Sequence, residues 1–206
     1  MSARARRLAG LAAVAALAAC TAPREPSPPA ADPARAAALA ALREWSAQGR
    51  LAVRTDGGGG SGDLDWRQRG DEAVIRVSGP LGAGALEIRW MQDELSVTSR
   101  DGTYTQSWRD PAEAERALAG RLGWSFPAGS VRWWLLGVPD PAAPADWRRG
   151  PDGRAAGFLQ GGWSVSYERW AEVQGLVLPV RLVVEGPAAR LRVLIDHWRI
   201  GADARG

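Results

Sequence analysis

Apolar and polar residues alternate through most of the chain after Gly49, which is the pattern of β-strands. In the segment 62–68, GDLDWRQ, Leu64 and Trp66 fall on one face and the charged residues fall on the other. The segment 85–90, ALEIRW, repeats this arrangement. One apolar face and one charged face are typical of an antiparallel sheet that is exposed to water on one side only.

The same alternation recurs in about ten short runs, which glycine-rich turns separate. The runs are RLAV (50–53), GDLDWRQ (62–68), AVIRV (73–77), ALEIRW (85–90), ELSVTS (94–99), DGTYTQSW (101–108), AAGFLQ (155–160), GWSVSYERW (162–170), LPVRLVVE (178–185) and ARLRVLIDHW (189–198). The pattern predicts a mostly β fold, a single strongly curled antiparallel sheet with helices covering its concave side.

Three segments predict these helices. The segments 32–45 and 110–123 both begin with Asp-Pro, which suits an N-cap followed by the first helical turn. The segment 127–139, PAGSVRWWLLGVP, predicts a second short helix or a turn after 110–123. The helical pair therefore interrupts the run of strands about two-thirds of the way along the chain.

The first twenty residues predict an export signal. Arg4, Arg6 and Arg7 precede the apolar run LAGLAAVAALAAC, which is too short to span a bilayer and matches a secretory signal. The run ends at Cys20, the only cysteine, and the four residues LAAC resemble a bacterial lipobox. That resemblance implies that residues 1–19 are removed and that Cys20 carries the acyl chains.

The segment after the lipobox predicts a flexible tether. Residues 20–34 are rich in proline and alanine and have no hydrophobic period. Thr21 follows the cysteine, and its resemblance to the bacterial sorting pattern indicates the periplasmic face of the outer membrane. We expect one β-barrel domain over residues 35–200 and a short tail over 201–206.

Charge excludes one class of partner. The formal charge of +3 equals the contribution of the three arginines in the signal, so the remaining chain is balanced. A neutral mature chain gives no reason to expect a nucleic acid partner.

Few residues carry the chemistry of an active site. His197 is the only histidine, and strand alternation predicts that it and Asp196 point to opposite faces. The glycine-rich segment 54–63 lacks the Lys-Ser/Thr of a phosphate-binding loop and predicts a hairpin, with no function assigned. We therefore predict no catalytic residue, no metal site and no cofactor.

Tryptophan is unusually frequent, with eleven residues against two phenylalanines and two tyrosines. Two interpretations stay open. The indole rings either fill an ordinary core or line a wide apolar cavity, and each buried ring N–H needs a hydrogen-bond acceptor in both cases.

Several motifs occur together with the lipobox and in a characteristic order. They are QGRLAV, SGDLDWRQ, SGPLGAGALEI, SVRWWLLGVP, GWSVSY and LPVRLVVEGPAARLRVLIDHW. Their order and spacing resemble the LolB family of outer-membrane lipoproteins, over about residues 45–198.

This resemblance implies an open β-barrel of about eleven antiparallel strands around a hydrophobic cavity for acyl chains, with helices over its mouth. It implies a receptor that accepts acylated lipoproteins from a LolA-like periplasmic carrier. The receptor would insert them into the inner leaflet of the outer membrane without nucleotide hydrolysis. The implied partners are the carrier, the acylated cargo and outer-membrane phospholipid, and we expect a monomer.

The resemblance also suggests site residues. Leu81 matches the apolar tip of a protruding loop that acts in membrane insertion, so we assign this role to Gly79, Pro80, Leu81 and Gly82. Aromatic positions of the family match Trp66, Trp134, Trp163 and Trp198. Together with the alternation, they give the candidate cavity residues Leu64, Trp66, Ile75, Leu86, Ile88, Trp134, Trp163 and Trp198.

Two other functions remain open from the sequence. One is a lipocalin-like lipoprotein that binds a free small apolar ligand. The other is an esterase, which would need His197 paired with a serine.

Overall fold

The computed structural model of the protein describes residues 33–79, 84–91, 94–122, 127–151, 153 and 155–201. The helices are α1 Pro33–Ala40, α2 Pro111–Leu122 and α3 Ala128–Leu136. The strands are β1 Glu44–Thr55, β2 Gly58–Arg69, β3 Glu72–Ser78, β4 Leu86–Met91, β5 Glu94–Ser99, β6 Thr105–Trp108, β7 Asp146–Arg149, β8 Ala155–Gln160, β9 Trp163–Val173, β10 Leu176–Glu185 and β11 Ala189–Ile200. In the described part of the chain, none of the helices has the length and apolar character needed to cross a membrane.

All eleven strands form one antiparallel sheet in the order β6-β5-β4-β3-β2-β1-β11-β10-β9-β8-β7. The first and last strands of the chain, β1 and β11, pair with each other in the middle of this order. The edge strands β6 and β7 are not paired with each other, so the sheet is curled but not closed. The prediction of a mostly β, half-open antiparallel barrel of about eleven strands is confirmed.

The two ends of the strands form two rims. The upper rim is the end of the sheet that carries the connections β1–β2, β3–β4, β5–β6, β8–β9 and β10–β11. The lower rim is the opposite end of the sheet, where β1 begins and β11 ends. It carries the connections β2–β3, β4–β5, β7–β8 and β9–β10.

All three helices pack against the concave face of the sheet. The largest core cluster contains Leu39 of α1 and Trp134 of α3. A second, smaller cluster joins Ala114 and Leu118 of α2 to Leu95 of β5. The two helices that connect β6 to β7 therefore pack in different clusters, α3 in the large one and α2 in the small one.

The helix ends carry local signals that the sequence contains. Asp110 caps α2, because its Oδ1 accepts a hydrogen bond from the Ala112 N–H at 2.9 Å. α3 ends at Gly137, which has φ of +85° and donates its N–H to Trp134 O at 3.1 Å. A Cβ at Gly137 would also lie 2.8 Å from the ring of Trp170. Both the positive φ and the lack of space therefore require glycine at this turn.

The first helix is shorter than predicted. The segment 32–45 was expected to be helical, yet α1 ends at Ala40 and β1 begins at Glu44. Trp45 is 1% exposed and belongs to the sheet. Alanine and leucine have high helix propensity, but burial of a large ring against the sheet overrides that preference.

Two further differences concern strands. The glycine-rich segment 54–63 does contain a hairpin, but its glycines from Gly58 onward form the first half of β2. The pairing partner β1 imposes the extended backbone there, which glycine tolerates although it does not favour it. The short edge strand β7 has no clear alternation and was not predicted.

The prediction for Asp196 and His197 was wrong. A register shift in the β1–β11 pairing leaves Gly49 opposite Ile195 and Gln48 opposite His197, so Asp196 is an extra residue. Both Asp196 and His197 are exposed. A β-bulge of this kind interrupts the two-residue alternation of side chains along the strand, and no local sequence signal marks it.

Candidate functional site

The concave face divides into a closed part and an open part. Five of the eight predicted cavity residues are buried within the core: Leu64, Trp66, Ile75, Trp134 and Trp163. The other three are half-buried against it: Leu86, Ile88 and Trp198. Seven of the eight lie on strands, where alternation placed them on the apolar side of the sheet, and Trp134 lies on α3. Their exposure differs.

One aromatic group packs where β1, β2 and β11 meet. Trp45 stacks on Trp66 with ring centroids 5.8 Å apart, and the Trp198 ring lies 5.6 Å from Trp45 at a tilt. Trp66 Nε1 donates to Gln68 Oε1 at 3.0 Å, and Trp198 Nε1 donates to Pro179 O at 2.8 Å. These indole N–H groups have the acceptors that buried tryptophans need.

A second aromatic group packs between α3 and the strands β8 and β9. The Trp134 ring lies 6.3 Å from Trp163 and 6.5 Å from Phe158, and its Nε1 donates to Gln160 Oε1 at 2.8 Å. Tyr167 donates its hydroxyl to Trp134 O at 2.9 Å, and burial raises the pKa of Tyr167 well above its usual range. These rings are packed core, so the first interpretation of the tryptophans describes them.

A cavity of about 270 Å³ lies between α3 and the strands β2–β4. Trp66, Ala73 and Trp90 give it apolar walls, and Gly129 of α3 forms part of its opposite side. Arg132 and Asp71 stand at its edge as an ion pair with 3.2 Å between nitrogen and oxygen. Pockets for small ligands measure roughly 300–1,000 Å³, so this cavity is at the small end.

The open part of the concave face is a set of half-buried apolar side chains, which we call the open apolar strip. Its members are Leu51, Val53, Val77, Leu86, Ile88 and Trp90. They lie on the strands β1, β3 and β4, on the side of the sheet that holds the core. A connected group of accessible apolar side chains is the candidate binding surface of this face.

Beside the open apolar strip, β2 carries glycines in place of larger residues. Leu51 lies opposite Gly62 and Val53 lies opposite Gly60 in the antiparallel pairing of β1 with β2. A Cβ at Gly60 would meet no atom within 4 Å. On the concave side, the first half of β2 therefore places backbone but no side chain beside Leu51 and Val53.

The convex face is charged. Glu87 accepts from Arg76 Nε at 2.6 Å and from Arg89 Nε at 2.5 Å. Desolvation acts to raise the pKa of Glu87, but the two arginine hydrogen bonds outweigh it and lower the pKa below 4.5. Arg50 pairs with Asp196 at 3.5 Å on the same face. This side of the sheet is built to face water.

The convex face also holds the only histidine. Exposed His197 and Asp196 line a shallow groove with Gln48, Arg50 and Asp63, on the side of the sheet away from the apolar strip. Among the described residues, no three His, Cys, Asp or Glu side chains are grouped to hold a metal ion.

The predicted insertion loop and lipid attachment lie largely outside the described residues. Gly79 is described and half-buried, whereas Pro80, Leu81, Gly82 and Cys20 lie outside. The roles of these residues, and the cavity role of the eight candidates, stay predictions.

Residues of the open apolar strip were missed by the sequence analysis. Leu51, Val53, Val77 and Trp90 were not among the candidates, although their alternation is as clear as that of Leu86. Half of the predicted cavity residues are tryptophans. The structure shows instead that several large rings are closed in the core and that mostly aliphatic side chains stay accessible.

A protein-family model matches most of the chain. The model of the family described as "Outer membrane lipoprotein LolB" matches residues 43–198. This range runs from just before β1 almost to the end of β11.

Curated relatives agree with the family model. A protein of Nitrosococcus oceani named "Outer-membrane lipoprotein LolB" is 36% identical over 162 residues, which cover 78% of each chain. Proteins with the same name from Stutzerimonas stutzeri and Pseudomonas aeruginosa are 34% and 33% identical, over 77% of this chain and 75% of theirs.

A solved structure supports the fold alone. A DUF1329 family protein from Desulfovibrio piger superposes with a TM-score of 0.51, covering 82% of this chain and 90% of that chain. The two sequences are 8% identical, so the likeness says nothing about activity.

Proposed function

This chain belongs to the LolB family of outer-membrane lipoproteins, and from that membership we propose that it accepts acylated lipoproteins from a periplasmic carrier. It then inserts them into the inner leaflet of the outer membrane. Its own anchor on the periplasmic face is the acylated Cys20, and it acts as a monomer.

The observation that carries this proposal is the open apolar strip. A curled sheet whose concave face is half covered by helices offers a binding surface for flexible hydrocarbon. The strip is apolar, accessible and close to the upper rim, where Val53, Val77 and Leu86 lie near strand ends. Acyl chains of the cargo would contact these side chains instead of water.

The energetics explain why such a surface is needed. Exposing one sixteen-carbon acyl chain to water costs on the order of 12 kcal/mol, at about 0.8 kcal/mol per CH₂. Shelter during transfer removes most of that cost. Transfer then requires no covalent step if the affinity for the acyl chains rises from the carrier to this protein and again from this protein to the bilayer.

Contact with the bilayer is assigned to the connection between β3 and β4. Leu81 stands in this connection between Pro80 and Gly82. Burial of one leucine contributes roughly 1.5–3 kcal/mol, which is enough for reversible contact with lipid but not for permanent insertion.

The test separates release of cargo from binding of cargo. Leu81→Glu should keep the fold and the uptake of an acylated lipoprotein from the carrier, while release into liposomes falls because a carboxylate resists burial in lipid. Leu159→Glu is the matched control, since Leu159 is an exposed leucine of β8 at 46%. Unimpaired release by the Leu81 variant would contradict the role of this residue.

The ligand of the native protein tests the wider proposal. Mass spectrometry of protein purified from its own membrane should detect an acylated peptide or lipoprotein. A free fatty acid or pigment as the bound species would favour a lipocalin-like binder instead. Loss of function in His197→Ala would favour an esterase, which the position of His197 on the convex face gives no reason to expect.

A further inference from the structure

Two cavities at the lower rim share the same polar residues. The cavity of about 270 Å³ between α3 and the strands β2–β4 is lined by Gln68, Asp71 and Arg132, and so is a recess of about 30 Å³ near the end of α1. Trp66 and Trp90 give the larger cavity apolar walls. The three polar residues therefore lie where an apolar space meets a small one, which is large enough for a water molecule or a ligand oxygen.

Arg132 has two partners of different kinds at this place. Its guanidinium lies 4.4 Å from the ring centroid of Trp133, which attracts the cation without using its N–H donors. Its other partner is the carboxylate of Asp71 in the β2–β3 connection, a side chain that is 74% exposed. Because such an exposed ion pair contributes little stability, another anion can replace Asp71 at low cost.

A second guanidinium lies beside the same connection. Arg43 lines the recess, and its backbone oxygen accepts the Gly70 N–H. A Cβ at Gly70 would lie 2.9 Å from Arg43 Nη2, so this guanidinium lies against the turn that carries Asp71. Among the described residues that line the two cavities, the charged ones are Arg43, Arg132 and Asp71. Two cations and one exposed carboxylate favour an anionic ligand.

We propose that these two cavities form a binding site for an amphiphile that has a single acyl chain and an anionic head group. The chain lies between Trp66 and Trp90, and the carboxylate or phosphate of the head replaces Asp71 as the acceptor of the Arg132 N–H groups. A guanidinium binds carboxylate and phosphate alike by two parallel hydrogen bonds. The volume of the larger cavity is at the small end for ligand sites, which favours one chain over the several chains of a lipoprotein.

This site goes beyond the proposed function and does not depend on it. Val53, Val77 and Leu86 of the open apolar strip lie near the upper rim, whereas Gln68 and Asp71 lie at the lower rim around the β2–β3 connection. Trp90 belongs to both the strip and the larger cavity, so the two sites adjoin there. In a lipocalin-like binder a free amphiphile is the sole ligand, whereas here it binds in addition to the cargo.

The experiment compares ligands that have the same acyl chain and different head groups. A twelve-carbon fatty acid, a lysophosphatidic acid of that chain length and a twelve-carbon alcohol are titrated separately into the protein, below their micelle concentrations, and calorimetry measures each affinity. We expect the native protein to bind the two anions at least about tenfold more tightly than the alcohol, because charge-assisted hydrogen bonds are the strong ones. The anion that binds more tightly identifies the head group, and either result supports the site.

Two substitutions test the head-group contact in opposite directions. Arg132→Gln should abolish the preference for the anions, whereas Arg132→Lys keeps the charge and should keep part of the preference. Asp71→Asn should tighten anion binding severalfold, because it removes the carboxylate that competes for Arg132. Damage to the fold does not explain a gain of affinity. Arg116→Gln of α2, whose side chain is 76% exposed, is the control and should leave all three affinities unchanged.

Gly129→Leu tests the place of the acyl chain. Gly129 of α3 lines the larger cavity, and a Cβ there would lie 3.7 Å from the Trp90 ring, which is an ordinary contact. A leucine side chain should therefore fill the cavity and weaken the binding of both anions at least about tenfold, with circular dichroism to confirm the fold. The Arg132 and Asp71 variants test the site whether or not this variant folds.

Three results would overturn the proposal. They are equal affinity of the native protein for the alcohol and the anions, an anion preference that survives in Arg132→Gln, and native anion affinity in a folded Gly129→Leu protein. Arg132→Gln should also bind an acylated peptide as tightly as the native protein does, and an equal loss of peptide binding would contradict a separate site. Failure of the native protein to bind the acylated peptide would instead overturn the proposed function alone.

Discussion

Gly62 and Gly60 show how differently two glycines of one strand are constrained. A Cβ at Gly62 would overlap the carbonyl oxygen of Ser78 in the neighbouring strand, whereas a Cβ at Gly60 meets open space. Both residues lie on the first half of β2 and face the same side as the open apolar strip. Only Gly62 is required for the close approach of β2 to β3.

We therefore expect Gly62→Ala to destabilise the protein by about 1–3 kcal/mol, since backbone atoms must shift to make room. Gly60→Ala is the control, and its effect should stay within about 0.5 kcal/mol. Urea unfolding followed by tryptophan fluorescence measures both. Equal stability of the two variants would show that the β2–β3 contact is not tight at Gly62.

Gln160 is another residue whose role only its surroundings reveal. It is 3% exposed and accepts from both Trp134 Nε1 and the Asp140 N–H. Its own amide donates to Asp140 O at 2.9 Å and Ala143 O at 2.8 Å. A single buried amide thus joins α3, β8 and the chain that follows α3.

At the scale of elements, α1 is short and depends on its contacts. Eight residues form an unstable helix in isolation, so tertiary packing must hold it. Leu39, at 2% exposure, and the side chain of Arg35 supply that packing. Contacts at the lower rim therefore hold the first helix of the folded domain in place.

Arg35→Met should loosen α1 while keeping most of the apolar stem of the side chain. We expect a loss of about 1–3 kcal/mol, because the carbonyls of Gly137 and Val177 lose a charged donor. Hydrogen exchange of the α1 amides should accelerate more than exchange in β9. Arg116→Met, an exposed change in α2, is the control, and similar exchange in both variants would contradict the fastening role.

At the scale of the whole molecule, the concave face is divided into a closed and an accessible part, and we expect cargo to bind the accessible part. Aromatic rings close one part of the face, and half-buried side chains leave the other part accessible. Val53 is half-buried on the concave side, while the preceding residue, Ala52, is exposed on the convex side. This pair of neighbours offers a direct comparison.

Val53→Gln should weaken binding of a fluorescent acylated peptide about tenfold, because the amide brings polar atoms into the path of the acyl chain. Ala52→Gln should leave the affinity unchanged. Titration of both variants with the same peptide tests this, with circular dichroism to confirm the fold. Equal affinities would show that acyl chains bind elsewhere than the open apolar strip.

Much of the architecture was predictable from local pattern. The faces of β2 and β4, the capped start of α2 and the glycine end of α3 follow from residues adjacent in the chain. The candidate site was predictable only in part. Trp66 of β2 and Ile88 of β4 both fall on the apolar face by alternation, but one is 4% exposed and the other is half-buried.

The sequence by itself determined the period of each strand, the helix caps and the motif order that indicates the family, since these depend on neighbours in the chain. Tertiary structure alone decided the bulge at Asp196, the strand conformation of the glycine-rich segment and the early end of α1. It also decided which apolar side chains remain accessible. The physical reason is that burial and register depend on what lies across the sheet, and those partners are distant in sequence.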